Sequence, residues 1–227
     1  MLKKYQIFII VLILIIGGVF FYVKNINKKE IPEIPKEEEL FSLPKGVVLT
    51  EEQQKKFNEA KEALNKNPND ADALIKIAQL KYFFNDLEGA KKVYLKALEL
   101  SPNDTLILNN LGDIYNQQKE YENAERMYLK IIEVNPNWRN AYRELKTLYR
   151  FHLKEKYPQI EGLLLKAIED NKKAFGEAPV DFYSMLAVFY KDTGQKEKAI
   201  PYYEKVLEMD PNNEGAKMDL EELKKSN

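Results

Sequence analysis

The chain has 227 residues, with 35 Lys and Arg against 36 Asp and Glu, one His and no Cys. Near-neutral charge excludes the cationic excess of a nucleic-acid binder, and the lack of Cys excludes disulfide frameworks, thiolate metal sites and catalytic thiols. Nine Gly and 31% charged residues favour helices over turn-rich sheets.

Residues Tyr5 to Val23 run without a charge, mostly Ile, Leu, Val and Phe. As a helix at ~1.5 Å per residue this stretch is about 28 Å long, close to the ~30 Å hydrocarbon core of a bilayer. A cleavable signal would have a shorter apolar region and a small-residue cleavage site. This one continues into FFYVKNINKK without such a site, so an uncleaved single-pass anchor over residues 5–23 is expected. The short basic head, Lys3 and Lys4, favours export of the C-terminal domain, whereas Lys24, Lys28 and Lys29 argue for the opposite orientation. Export is the preferred reading. Residues 24–45 contain Pro32, Pro35 and Pro44, which forbid a continuous helix, and read as a linker.

Four Pro-Asn dipeptides begin at Pro68, Pro102, Pro136 and Pro211, spaced by 34, 34 and 75 residues. A fixed period in this range signals stacked supersecondary units. Other positions keep step. Ala90, Ala124 and Ala199 precede three of the prolines by the same interval, and each is followed by Tyr94, Tyr128 or Tyr203. Upstream, Leu111-Gly112-x-x-Tyr115 has counterparts in Leu145-Lys146-x-x-Tyr149 and Leu186-Ala187-x-x-Tyr190. Apolar spacing predicts first helices over Ala71–Phe84, Thr105–Gln117, Arg139–Phe151 and Val180–Lys191, each followed by a second helix. Thr50 with Gln53 forms a capping box for a helix to about Lys66. Ala216, Leu220 and Leu223 mark a terminal helix over Glu214–Lys225.

These residues resemble the tetratricopeptide repeat, whose pattern is W-x2-L-G-x2-Y, then A-x3-F, then P. The resemblance implies an all-α fold, a right-handed α-solenoid of helix-turn-helix units behind one transmembrane helix. The expected domain spans 46–227: a half unit at 50–70, units at 71–104 and 105–138, an irregular unit at 139–178, a unit at 180–213, and a capping helix at 214–225. The irregular unit has Lys146 in place of a small residue, Ile160 near the start of a second helix over about Gln159–Asp170 in place of Ala, and seven extra residues, Lys173–Pro179, read as drift, with a functional loop at 171–179 as the alternative.

Catalysis is not expected. His152 has no nucleophile or metal partner implied by spacing, and no phosphate loop, G-x-G-x-x-G or H-E-x-x-H motif occurs. No catalytic residue, metal or cofactor is assigned. Similarity to the family implies instead that the first helices line a groove for a protein or peptide partner. Its rows are Ile75, Gln79 and Tyr82; Asn109, Asp113 and Asn116; Arg143, Thr147 and Arg150; and Ser184, Val188 and Lys191. Asn109 and Asn116 offer donors and acceptors to a peptide backbone, and Arg143 with Arg150 offers guanidinium forks to a carboxylate. The carboxylate clamp of some family members is not expected. Asn110 matches one of its residues, but Ile75, Gln79, Asn140 and Glu144 fill the other slots. The expected function is a membrane-anchored adaptor with its domain on the extracytoplasmic side, serving assembly of an envelope or secretion complex. The alternatives are a self-associating homo-oligomeric organiser and a non-catalytic accessory subunit of an enzyme.

Overall fold

The Pro-Asn turns work through the polar residues around them. In the computed structural model, which describes residues 37–225, Asn67 Oδ1 accepts the Asn69 N–H and Asn135 Oδ1 accepts the Asn137 N–H. Two residues after the proline, Asp70 and Asp104 cap the next helix, accepting from Ala73 and from Leu106 and Ile107 respectively. Asn213 does the same for Ala216 at 3.0 Å. Trp138, in the same register, makes no capping bond.

Among the described residues there are eleven α-helices, one 3-10 turn and no strand. They fall into two units, one ending at Leu100 and one beginning at Ser101. The first unit holds α1 (Glu37–Phe41), α2 (Glu51–Lys66), α3 (Ala71–Phe83) and α4 (Leu87–Leu100). Thr50 and Gln53 form the capping box of α2: the Thr50 hydroxyl accepts from the Gln53 amide, and the Gln53 side chain accepts from the Thr50 amide. The core of this unit is Ala60, Leu64, Leu74, Ile77, Ala78, Ala90, Val93, Tyr94 and Ala97, all buried.

The second unit holds α5 (Thr105–Gln117), α6 (Tyr121–Val134), α7 (Arg139–Phe151), α8 (Gln159–Phe175), α9 (Val180–Asp192), α10 (Lys196–Met209) and α11 (Glu214–Lys225). Successive helices pack as hairpins, and α11 covers α10 with Ala216, Leu220 and Leu223. This is the layered stacking by which repeat units bury faces that no single hairpin could bury. The regular hairpins turn at a residue with positive φ: Asn85 (59°) and Lys119 (62°), non-glycines in a costly region, and Gly194 (70°). In each, the amide one residue later donates to the carbonyl five residues before it, as from Asp86 to Lys81, Glu120 to Tyr115 and Gln195 to Tyr190.

The irregular unit departs at this point. Leu153 stands where the left-handed residue should be but has φ of −115°, and the chain enters the 3-10 turn Lys154–Lys156. The second helix, expected over about Gln159–Asp170, continues to Phe175 and ends at Gly176 with φ of 83°. The extra residues therefore lengthen α8, with Asn171 buried and bonded to the Ala167 carbonyl at 2.9 Å.

A second difference concerns the segment read as linker. Its last residues are packed: α1 lies on α4 with Leu40 only 7% exposed, and Phe41 meets Phe57 edge-on at 6.3 Å. The Lys81 ammonium, 1% exposed, donates to the Ser42 carbonyl at 2.5 Å and lies 3.1 Å from Asp86. The physical reason is the Leu40-Phe41 pair, which supplies enough apolar surface to dock a single helical turn. The expected membrane segment over residues 5–23 lies outside the described residues, as do residues 24–36 of the linker. Among the described residues no helix is long and apolar enough to cross a membrane.

Candidate partner-binding face of the first helices

In the first unit the face is carried by α3. Ile75, assigned to the outer row by spacing, is buried at 8% exposure and belongs to the core. Gln79 is exposed and helps line a cleft of about 180 Å³ with Gln53, Lys56, Phe57, Lys76, Leu80 and Phe83. Phe83 is 69% exposed at its edge. Tyr82, also on α3, is half-buried.

In the second unit α5, α7 and α9 carry the remaining rows. On α5, Asp113 is held at both oxygens: the Tyr128 hydroxyl donates to Oδ1 at 3.0 Å, and Asn109 Nδ2 donates to Oδ2 at 3.1 Å. Burial raises the Asp113 carboxyl above its usual value, against the pull of the Tyr128 and Asn109 hydrogen bonds. The Glu144 charge on α7 pushes it the same way as burial. Asn109 and Asp113 are thus occupied with each other. The Asn116 side chain has no hydrogen-bond partner among the described residues.

The cations of α7 and α9 are engaged to different degrees. Arg150 Nη2 donates to Asp192 Oδ1 at 2.9 Å, while the Tyr157 hydroxyl donates to Asp192 Oδ2 at the same distance. Lys191 pairs with Asp219 at 2.7 Å and Glu222 at 2.5 Å, both on α11. Arg150 and Lys191 hold the same register in successive repeats, and each ties its first helix to the next one. Arg139 makes a third tie, 3.4 Å from Asp181. Arg143 stays on its own helix, donating to Asn140 Oδ1 at 2.9 Å and lying 3.6 Å from Glu144. The fork of Arg143 with Arg150 is therefore divided between two internal partners. Thr147 returns its hydroxyl to the Arg143 carbonyl, and Val188 is half-buried.

Lys146 is the residue that spacing did not place on this face. It fills the register occupied by Ala78, Gly112 and Ala187, all of them buried. Half-buried itself, it makes no hydrogen bond or ion pair with any described residue. Burial lowers its basicity first of all; Asp192 opposes that, while Arg150 and Arg143 add to it. The sequence signal was present as the substitution of a long cation for a small residue.

His152 stacks on Tyr121 at 4.1 Å between ring centres, and no group of carboxylates and histidines that could hold a metal occurs among the described residues.

The repeat pattern is matched by two family models described as Tetratricopeptide repeat, one over residues 71–104 and 180–213 and the other over 106–137. No curated protein matches the chain in sequence. Among solved structures, YrrB, a TPR protein with an unusual peptide-binding site, is similar with a TM-score of 0.53 at 23% identity, covering 72% of this chain and 81% of that one. Two structures of MamA are similar with a TM-score of 0.52 each. One, at 19% identity, covers 71% of this chain and 95% of that one. The other, at 24%, covers 67% and 80%. At these identities the likeness concerns the fold. Three segments of the chain, 71–104, 106–137 and 180–213, are thus matched as tetratricopeptide repeats, within an all-helical TPR-like architecture.

Proposed function

We propose that this protein is a membrane-anchored, non-catalytic adaptor that binds a protein or peptide partner on the first-helix face of its repeats. The observation that carries the reading is that two half-buried polar side chains on that face, Asn116 and Lys146, make no hydrogen bond with any described residue and are left to an incoming partner. A polar side chain that no other part of the protein engages is available to hydrogen-bond a ligand. YrrB, similar in fold, is a TPR protein with a peptide-binding site, which supports the same use of the architecture here. The anchor is residues 5–23, which place the repeats at the membrane, on the extracytoplasmic side by the basic head. Assembly of an envelope or secretion complex is the setting that an anchored adaptor of this kind suits.

Two experiments test this. In intact cells, single cysteines introduced into this cysteine-free chain, one at Lys3 and one at Asn58, are exposed to a membrane-impermeant maleimide. Labelling at position 58 but not at position 3 is expected, and the reverse pattern would place the repeats on the cytoplasmic side. Affinity capture is then compared between the parent and the double variant Asn116→Lys, Thr147→Lys. Loss of one dominant partner in the variant is expected. If both chains recover only copies of themselves, the self-associating organiser replaces the adaptor.

A further inference from the structure

In two later repeats one recurring bond fastens a first helix to the second helix that precedes it. Tyr149 on α7 donates to Glu125 on α6 at 2.5 Å, and Tyr190 on α9 donates to Glu161 on α8 at 2.8 Å. In the first unit both members of this pair are exchanged: Lys81 holds the tyrosine register, and Phe57 holds that of the acid. A segment from outside the repeat engages both. Lys81 donates to the Ser42 carbonyl at 2.5 Å, and the Phe41 ring stands edge-on to Phe57 at 6.3 Å. The Lys61 ammonium lies 5.1 Å over the same Phe41 ring, Glu39 pairs with Lys92, and Leu40 is buried. The two exchanges thus build a seat for residues 39–42 that draws on α2, α3 and α4.

We propose that this seat is a latch that sets the length of the membrane tether. It rests on the reading of residues 5–23 as an anchor, which gives the latch its use. With α1 seated, the tether between anchor and domain is residues 24–36, which at ~3.5 Å per residue span at most about 45 Å. Released, the tether runs over residues 24–50 to the cap of α2 and spans at most about 95 Å. The effective concentration of a tethered module falls roughly as the −3/2 power of tether length, so release lowers that of the repeats at the bilayer about threefold. One helical turn and its few side-chain contacts form a small unit that opens while the helices beneath it stay folded.

The test uses the full chain in lipid nanodiscs whose headgroups carry an energy acceptor, with a fluorescent residue replacing exposed Glu62 on α2. Flotation with the lipid reports the anchor separately. One release variant is Leu40→Ser with Phe41→Ser, both outside α2, α3 and α4, and thermal melting verifies that the repeats stay folded. A second, Phe57→Glu with Lys81→Tyr, restores the pair of the later repeats and evicts the segment. A lock variant, Glu39→Cys with Lys92→Cys, is closed by a short bis-maleimide. The parent and the closed lock are expected to give equal energy transfer, and both release variants less. Transfer in the parent equal to or below that of the release variants would overturn the latch and leave the anchor intact. A chain that does not float with the lipid would overturn the anchor, and the latch with it.

Discussion

The ring of Tyr128 lies so close on Gly112 that a β-carbon at position 112 would sit 2.6 Å from its Cε1 atom. This contact joins α5 to α6. The ring is fully buried, and its hydroxyl is held by Asp113 at 3.0 Å, so it has no free direction in which to withdraw. Gly112→Ala gains about 1 kcal/mol of helix propensity. Overpacking against a fixed ring costs about 1–3 kcal/mol, and is the larger effect. A lowered melting temperature is expected for the variant. A raised one would show that the ring yields and that glycine is not required there.

Lys81 occupies the register that Tyr115, Tyr149 and Tyr190 hold in later repeats. In place of a ring it supplies a buried ammonium, which grips the Ser42 carbonyl and Asp86. Lys81→Ala removes that grip and leaves Asp86 without its cation, at a cost of about 3 kcal/mol. The loss should open the segment 42–46 to limited proteolysis before the rest of the unit unfolds. Equal cleavage rates in parent and variant would contradict the tethering role.

Glu177 responds to acid. The Tyr183 hydroxyl donates to it at 2.7 Å, the Ala178 amide donates at 3.2 Å, and Lys205 lies 3.3 Å away, together lowering its carboxyl from 4.5 to about 2. A lowered folded-state value means that the stabilisation is fully present above about 4.5 and is lost as the pH falls through about 2. The melting-temperature difference between the parent and Glu177→Gln should therefore be positive at neutral pH and shrink across that window. A difference independent of pH would show that the three donors do not stabilise the charged form.

Arg150 and Asp192 lie 42 residues apart and tie α7 to α9. Their side chains are 42% and 16% exposed, so a coupling energy of about 0.5–1 kcal/mol is expected from a double-mutant cycle on Arg150→Ala and Asp192→Ala. Zero coupling would return Arg150 to the pool of free groove residues.

Much of this architecture was legible because the repeat punctuates itself. The Pro-Asn turns and the apolar spacing give the helix at Thr105–Gln117 and the one at Glu214–Lys225 the bounds that the structure shows. The docking of α1 was not legible, since two adjacent apolar residues, Leu40 and Phe41, are too few to display a period. Lys81 reads as a surface residue in any pattern, because burial of a lysine depends on a carbonyl that arrives from 39 residues away. Helical spacing located the face of Arg150 and Lys191 but could not see Asp192, Asp219 or Glu222, the partners that engage them. Lys146 stood out as a broken pattern. Its isolation became visible once the neighbouring cations were seen to be paired.

The first-helix face is tested most directly by photo-crosslinking in intact cells from two positions of the full chain. One photoreactive residue replaces Asn116 on α5, and the other replaces Glu133, an exposed residue on the second helix α6. One dominant foreign adduct from position 116 and none from position 133 is the result that partner binding on this face predicts. Adducts from position 133 alone, or only self-adducts from position 116, would contradict it.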